Sequence, residues 1–240
     1  MNTIRSEAIV LRTYKLGEAD LICVLLTRDH GKVRAVAHGV RRTSSKLGSR
    51  MEVLDHVDAL LAQGRTELLS VRQVESRGAF DHVRADYARL AAALVIVETA
   101  DAATIEHHDD EVYFDMVCRA LTALGDAATP SMVATAFLFK TLAHEGATPV
   151  LEHCASCGED AALVAFDLTE GGLLCASCRR GRPVSPEAVV LMRRILLGGL
   201  AGVLREEDPP GASEVASIAV DAVESNLGRR LRAARVLDAH

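Results

Sequence analysis

Two identical tetrapeptides, Cys154-Ala-Ser-Cys157 and Cys175-Ala-Ser-Cys178, stand 17 residues apart, and they constrain the chain more tightly than any other feature. Two residues between paired cysteines let both thiolates turn onto one ion, and two such pairs complete a tetrahedron. The segment 151–183 must then fold back until four sulfurs converge. Zn2+ suits four thiolates at ~2.3 Å and imposes no geometry of its own. A four-cysteine site is coordinatively closed, with no position for a catalytic water. The expectation is one structural zinc on Cys154, Cys157, Cys175 and Cys178. Leu163-Val-Ala-Phe166 and Gly172-Leu-Leu174 read as a small hairpin between the pairs. A pair of redox dithiols would sit in a βαβ pattern, which is missing here. A deaminase-like site would need a His-x-Glu element before the cysteines, and none precedes them.

Charge is divided unevenly along the chain. The formal net charge is −6, yet residues 1–80 hold 13 Lys and Arg against 9 Asp and Glu, and the remainder is net −10. Within the basic part, Gly31–Arg50 carries Lys32, Arg34, Arg41, Arg42, Lys46 and Arg50 and no acid. Such a run is a local positive field that attracts polyanions whatever the net charge. Its second half, with Ser44, Ser45, Gly48 and Ser49, reads as a loop. Solvation alone is the competing explanation.

Short β-branched, apolar runs surround that loop: Glu7–Tyr14, Leu21–Thr27, Lys32–His38, Val53–Ala62 and Glu67–Val74. Arg28-Asp-His-Gly31 is a turn signal between the second and third. Five strands in about 80 residues without intervening helices predict a small closed barrel. A five-stranded barrel with a basic loop has the form of an OB-fold, which binds single strands through a charged groove and stacking aromatics. Tyr14 is the only aromatic before Phe80, so phosphate contacts should dominate, sequence-tolerant and salt-dependent.

Ala8-Ile-Val-Leu-Arg12, Leu16-Gly-Glu-Ala-Asp20, Leu26-Thr-Arg-Asp-His-Gly-Lys32, Ala35-Val-Ala-His-Gly-Val-Arg-Arg42 and Ser45-Lys46 resemble, in order and spacing, the RecO family of DNA-repair proteins. Gly228-Arg-Arg-Leu-Arg-Ala-Ala-Arg-Val-Leu237 resembles the end of that family. The resemblance implies an N-terminal OB-fold in a recombination mediator. Such a protein binds single- and double-stranded DNA and anneals complementary strands coated with single-strand binding protein. The implied partners are RecR, the C-terminal tail of single-strand binding protein and, functionally, RecA.

From residue 81 onward the periodicity is helical. Helices are expected over Tyr87–Thr104, Val112–Gly125, Val133–His144, Ala188–Leu204 and Ser213–Leu227, with Asp81 a candidate N-cap and Gly228 a stop. Glu106–Glu111 is an acidic break, in which His107 and His108 read as surface residues. Lys140, close behind Phe137 and Phe139, is a candidate for an acidic-tail pocket. Arg179, Arg180 and Arg182 either touch phosphate or neutralise a zinc centre of four thiolates. Arg229, Arg230, Arg232 and Arg235 either form a second DNA contact or complement a helix dipole.

The fold expected is therefore α+β: an OB-fold barrel over 1–80, then a helical domain over 81–240 with the zinc motif at 151–183. There is no P-loop, no recognisable carboxylate pair and no Ser/His/Asp context, which argues a binding protein and not an enzyme. The candidate DNA contacts are Lys32, Arg34, Arg41, Arg42, Lys46, Arg50, Arg229, Arg230 and Arg232. The N-terminus shows no signal pattern, and the longest apolar stretch, Ile195–Leu204, is about ten residues against the ~20 a membrane span needs. A cytoplasmic protein, associated with the nucleoid and without a membrane partner, is expected. A zinc-braced protein adaptor without nucleic-acid binding, and a zinc or thiol redox enzyme, are the alternatives from other classes.

Overall fold

A computed structural model of the chain describes residues 3–41, 50–64, 68–78 and 80–235. Its contacts cluster into two units, Met1–Asp86 with Val97–Thr122, and Tyr87–Ile96 with Ala123–His240.

The first unit is built on five strands, β1 (Thr3–Leu16), β2 (Asp20–Thr27), β3 (Gly31–Ala37), β4 (His56–Gln63) and β5 (Leu69–Ser76), closed in the order β1-β2-β3-β5-β4. The closing pair, β3 with β5, is parallel, and the others are antiparallel. Closure is possible because β1 is long enough to serve two neighbours. Its start pairs with β4, from Thr3↔Ala62 to Ile9↔His56, and its end with β2, from Ala8↔Thr27 to Leu16↔Asp20. A register shift between Val10 and Arg12 bends the strand where it changes partner. Inward residues repeat with period two: Ala8, Val10, Cys23, Leu25, Val33, Ala35, Ala37, Val57, Ala59 and Leu61. This is an OB-like barrel, as expected. The fourth strand starts later than its β-branched pattern suggests. Val53–Asp55 form a turn in which Leu54 takes φ 76° and donates its N–H to the Val10 carbonyl.

The outer face of β1 and β2 is also buried over part of its length, with Ile9, Val24 and Leu26 at most 4% exposed. Helix α1 (Asp81–Arg84) is a single turn with Phe80 at its N-cap position and no side-chain cap, so Asp81 opens this turn and does not cap the long helix that follows. Helix α2 (Tyr87–Ala103) contributes its second half to this unit, and α3 (Glu111–Ala123) belongs almost wholly to it. Between them the 104–110 loop meets the β2–β3 turn: His107 donates its N–H to the Lys32 carbonyl, and a Cβ on Gly31 would lie 1.9 Å from the His108 carbonyl oxygen. Gly31, at φ 62°, is thus required both by the turn and by this approach.

The second unit is mainly helical. Helix α4 (Pro130–His144) has Pro at its first turn and buries residues on every side, including Phe137, Leu138 and Phe139, as a central helix must. Strands β6 (Leu163–Asp167), β7 (Gly172–Cys175) and β8 (Arg182–Pro183) form a small sheet in the order β7-β6-β8, which contains the expected hairpin. Helix α5 (Pro186–Leu196) is capped by Ser185, whose hydroxyl accepts the Ala188 N–H. Gly198 and Gly199, both at positive φ, break the expected single helix into α5 and α6 (Leu200–Val203). Helix α7 (Ala212–Leu227) ends at Gly228 in the left-handed conformation and packs on α4. Phe137 and Phe139 are at most 1% exposed. They are core residues and frame no pocket at Lys140, because the helix buries them while pointing Lys140 to solvent.

Candidate nucleic-acid interface and cysteine centre

The cations of the first unit fall into two groups. One is neutralised within the unit. Lys32 Nζ donates to the Asp101 carbonyl at 2.6 Å and lies 3.4 Å from its carboxylate, and the side chain is 13% exposed. Arg12 pairs with the same carboxylate at 2.8 Å. Arg34 Nε donates to Glu106 at 2.9 Å. Arg28 lies over the Phe114 ring and binds Glu7, Glu111 and Asp115 at 2.8–2.9 Å. These contacts raise its pKa, outweighing the opposing effect of burial. The structure thus commits Lys32 to the fold and half-commits Arg34. Their partners, Asp101 and Glu106, lie about 70 residues further along the chain, a separation that local sequence patterns do not span.

The second group has no carboxylate partner among the described residues. Arg41 is exposed, and its Nη1 donates to the carbonyls of Glu18 (3.0 Å) and Gly17 (3.4 Å) while its backbone N–H donates to the Ala19 carbonyl. Arg50 is exposed and donates to the Val74 carbonyl at 3.3 Å. Carbonyls orient these guanidiniums without cancelling their charge. Lys15 and Arg72 are exposed as well. Asp20 accepts the Gly39 N–H at 2.7 Å and meets His38 Nδ1 at 2.9 Å, which fastens the outgoing chain beside the β1–β2 turn. Gly39 sits at φ 65° there. Arg42 and Lys46 lie outside the described residues.

Half-buried in the same unit is a junction that the sequence does not announce. Glu7 receives Arg28 and His56 Nε2 (2.7 Å), with Arg77 at 3.6 Å. The ligand atoms of Glu7, His56 and Cys118 lie within 4.8 Å of one another. Two guanidiniums already flank Glu7, so a cation there would meet positive charge. Burial also pushes the Cys118 thiol up to about 12, and the junction reads as structural.

In the second unit Arg230 reaches back to Glu224 at 2.7 Å, and Glu224 also accepts the Leu231 N–H. Arg230 thereby closes the end of α7. Arg232 is exposed and has no ion pair among the described residues. Arg180 binds Glu170 and approaches Asp167, while Arg182 donates to Ser217 at 2.7 Å.

The four cysteines do converge: every sulfur of Cys154, Cys157, Cys175 and Cys178 lies within 4.8 Å of the others. The turns that bring them together are backbone-bonded, Gly158 N–H to the Cys154 carbonyl and Cys178 N–H to the Cys175 carbonyl. Cys154 and Cys175 are buried against Ala165 and Leu174 of the hairpin, and Cys157 is exposed. Donation from the Cys175 N–H to Cys154 Sγ (3.4 Å), helped by further backbone donors, draws the Cys154 thiol down to about 6 against the effect of burial. Cys178, sharing its proton with Cys157, is pushed up to about 12. One sulfur ionises readily and a neighbour then resists, because a second negative charge would sit beside the first. A divalent cation is the species that resolves that conflict, so the four residues fit a metal ion.

A closed OB-like barrel carried with a helical unit and a knuckled four-cysteine cluster defines a class of modular proteins. Two family models locate the chain within that class: Recombination protein O N terminal matches residues 1–80, and Recombination protein O C terminal matches residues 84–234. A DNA repair protein RecO from a Nocardioides species is 44% identical over 217 residues, 87% of this chain and 86% of that protein. Those of Cutibacterium acnes (36%) and Bifidobacterium adolescentis (40%) align over 99% of this chain and their whole length. The chain belongs to the RecO family of DNA-repair proteins. No described helix is long and apolar enough to cross a membrane.

Proposed function

We propose that the protein is a recombination mediator and not an enzyme. In this reading it binds single- and double-stranded DNA and anneals complementary strands coated with single-strand binding protein. With RecR it assists RecA loading, and it works in the cytoplasm, associated with the nucleoid. The observation that carries the reading is the pair Arg41 and Arg50: they bracket the acid-free loop of an OB-like barrel, and neither has a carboxylate partner among the described residues. Phosphates of either strand type fit such groups, and annealing then needs no chemistry, since cations screen the strands while base pairing supplies the energy. Arg42, Lys46 and Arg232 are assigned to the same role. Lys32 supports the barrel, and Arg34 contributes through its exposed remainder.

One structural Zn2+ is assigned to Cys154, Cys157, Cys175 and Cys178. When bound, it supplies cross-linking of the two knuckles and no reaction. The functional division assigned is a barrel module at 1–80 and a helical module at 81–240, although Val97–Thr122 cluster with the barrel in the fold. The test is annealing of complementary oligonucleotides pre-coated with single-strand binding protein, across a salt series. Acceleration that fades as salt rises is expected. No acceleration at any salt, by protein that is folded and metal-loaded, would favour the protein-adaptor reading.

A further inference from the structure

The outer face of the β1-β2-β3 sheet can be read in cross-strand rows. Ile9, Leu26 and Lys32 lie side by side, then Arg12, Val24 and Arg34, then Tyr14, Ile22 and Val36, then Leu16 and Asp20. The first two rows are closed off. Ile9, Val24 and Leu26 are buried, and Asp101 and Glu106 hold the cations. Beyond them the cover ends. Tyr14 is 46% exposed and Leu16 40% exposed, on a floor made by half-buried Ile22 and buried Val36.

Tyr14 is not a loose surface ring. Arg12 Nη1 donates to its hydroxyl at 3.1 Å, the guanidinium carbon lies 5.9 Å from the ring centroid, and Asp101 holds Arg12 in turn. The ring is thus fixed in advance while one side stays wet, and it loses little freedom when something stacks on it. Arg12 and Arg34 in the adjacent row are paired with Asp101 and Glu106, whereas Arg41, anchored on the carbonyls of the turn that follows Leu16, has no carboxylate partner among the described residues. Asp20, the acid in the row of Leu16, accepts the Gly39 N–H and meets His38.

We propose that Tyr14 is a base-stacking platform for single-stranded nucleic acid, with Arg41 holding a phosphate beside the stacked nucleotide. A π-face beside a cation is complementary to an unpaired base beside a phosphate, whereas a paired duplex keeps its base faces hidden. The platform rests on the DNA-binding reading above and adds to it a preference for unpaired strands.

The test uses the full chain, a labelled oligo-dT strand and an abasic strand of equal length and phosphate number. Expected is tighter binding of oligo-dT than of the abasic strand by the wild type. Tyr14→Leu then loses on the order of tenfold for oligo-dT, with abasic binding and salt slope unchanged, and Tyr14→Phe retains most of the affinity. Equal loss on both strands would make Tyr14 merely structural and overturn the platform. So would Tyr14→Leu binding oligo-dT like the wild type, including the case where only annealing of protein-coated strands fails, which would assign the patch to a protein partner. No binding of either strand by the wild type would overturn the DNA-binding reading itself.

Discussion

His56 shows how a single residue ties stability to pH. Its ring stacks on Phe80 with centroids 5.1 Å apart, its Nε2 meets Glu7 at 2.7 Å, and its buried Nδ1 has no partner among the described residues. Burial lowers its pKa below the ordinary 6.5 despite the pull of Glu7. The unfolded chain therefore takes up this proton more readily than the folded one. The contribution of His56 is complete above pH 6.5 and is lost as pH falls through the folded value. Glu7 is raised by burial, but Arg28 and His56 outweigh that and hold it below 4.5, so its contribution fades in the same direction at lower pH. Asp55, raised above 3.8 by burial, opposes it there. Within the unit built on the barrel, the interval from about pH 7 to 5 thus belongs to His56, while in the other unit Cys154, drawn down to about 6, adds a loss of its own. Thermal melts across that interval should show a falling Tm in the wild type and a flatter profile in His56→Gln. A variant that tracks the wild type would remove His56 as the cause.

Among elements, the strands were legible in the sequence because β-branched runs of period two are a local signal, and β2 and β3 lie within a residue of their expected bounds. The four cysteines were legible for a similar reason: spacing alone forces them together. What escaped was long-range. Nothing near Lys32 says that Asp101 will reach it, and nothing near Asp101 says that α2 will cover a barrel face. The break of α5 from α6 depended on Gly198-Gly199, a pair that marked an interruption without showing how many helices result. The covered face makes a prediction at this scale. Asp101→Asn with Glu106→Gln removes the countercharge of Arg12, Lys32 and Arg34. Asp101 is 7% exposed while its partner Arg12 keeps 30% of its side chain in solvent, so stability should fall by about 3 kcal/mol, the lower end of the range for breaking a buried pair. Single-strand affinity should rise, and its salt slope should steepen by up to about 0.7 per cation released. Titration of a labelled strand at several salt concentrations measures both. An unchanged slope would mean that these cations stay buried even without their acids.

Across the whole molecule the two strongest features answer to different physics. The loop cations act through a field that salt screens, and the cysteine cluster, in the proposed reading, would act through coordinate bonds to a metal ion that salt leaves alone. The cations sit in the unit built on the barrel, and the cysteines sit in the other. Variants should therefore separate cleanly. Replacing Arg41, Arg42 and Lys46 together should flatten the salt slope of single-strand binding by about 2, at roughly 0.7 per lost contact, and should leave Tm nearly unchanged because, among the described residues, Arg41 meets carbonyls and no carboxylate. Cys154→Ser removes the most acidic and most buried sulfur. It should cost the full equivalent of zinc and lower Tm by about 5 °C or more, while the slope measured below the melting range stays at the wild-type value. Metal content by mass spectrometry, melting curves and salt-dependent binding on the same preparations decide the matter. Zinc retained at one equivalent in Cys154→Ser would refute the four-cysteine site. A slope that falls with zinc loss would show that the cysteine centre does more than brace its own unit, and that DNA binding depends on both units.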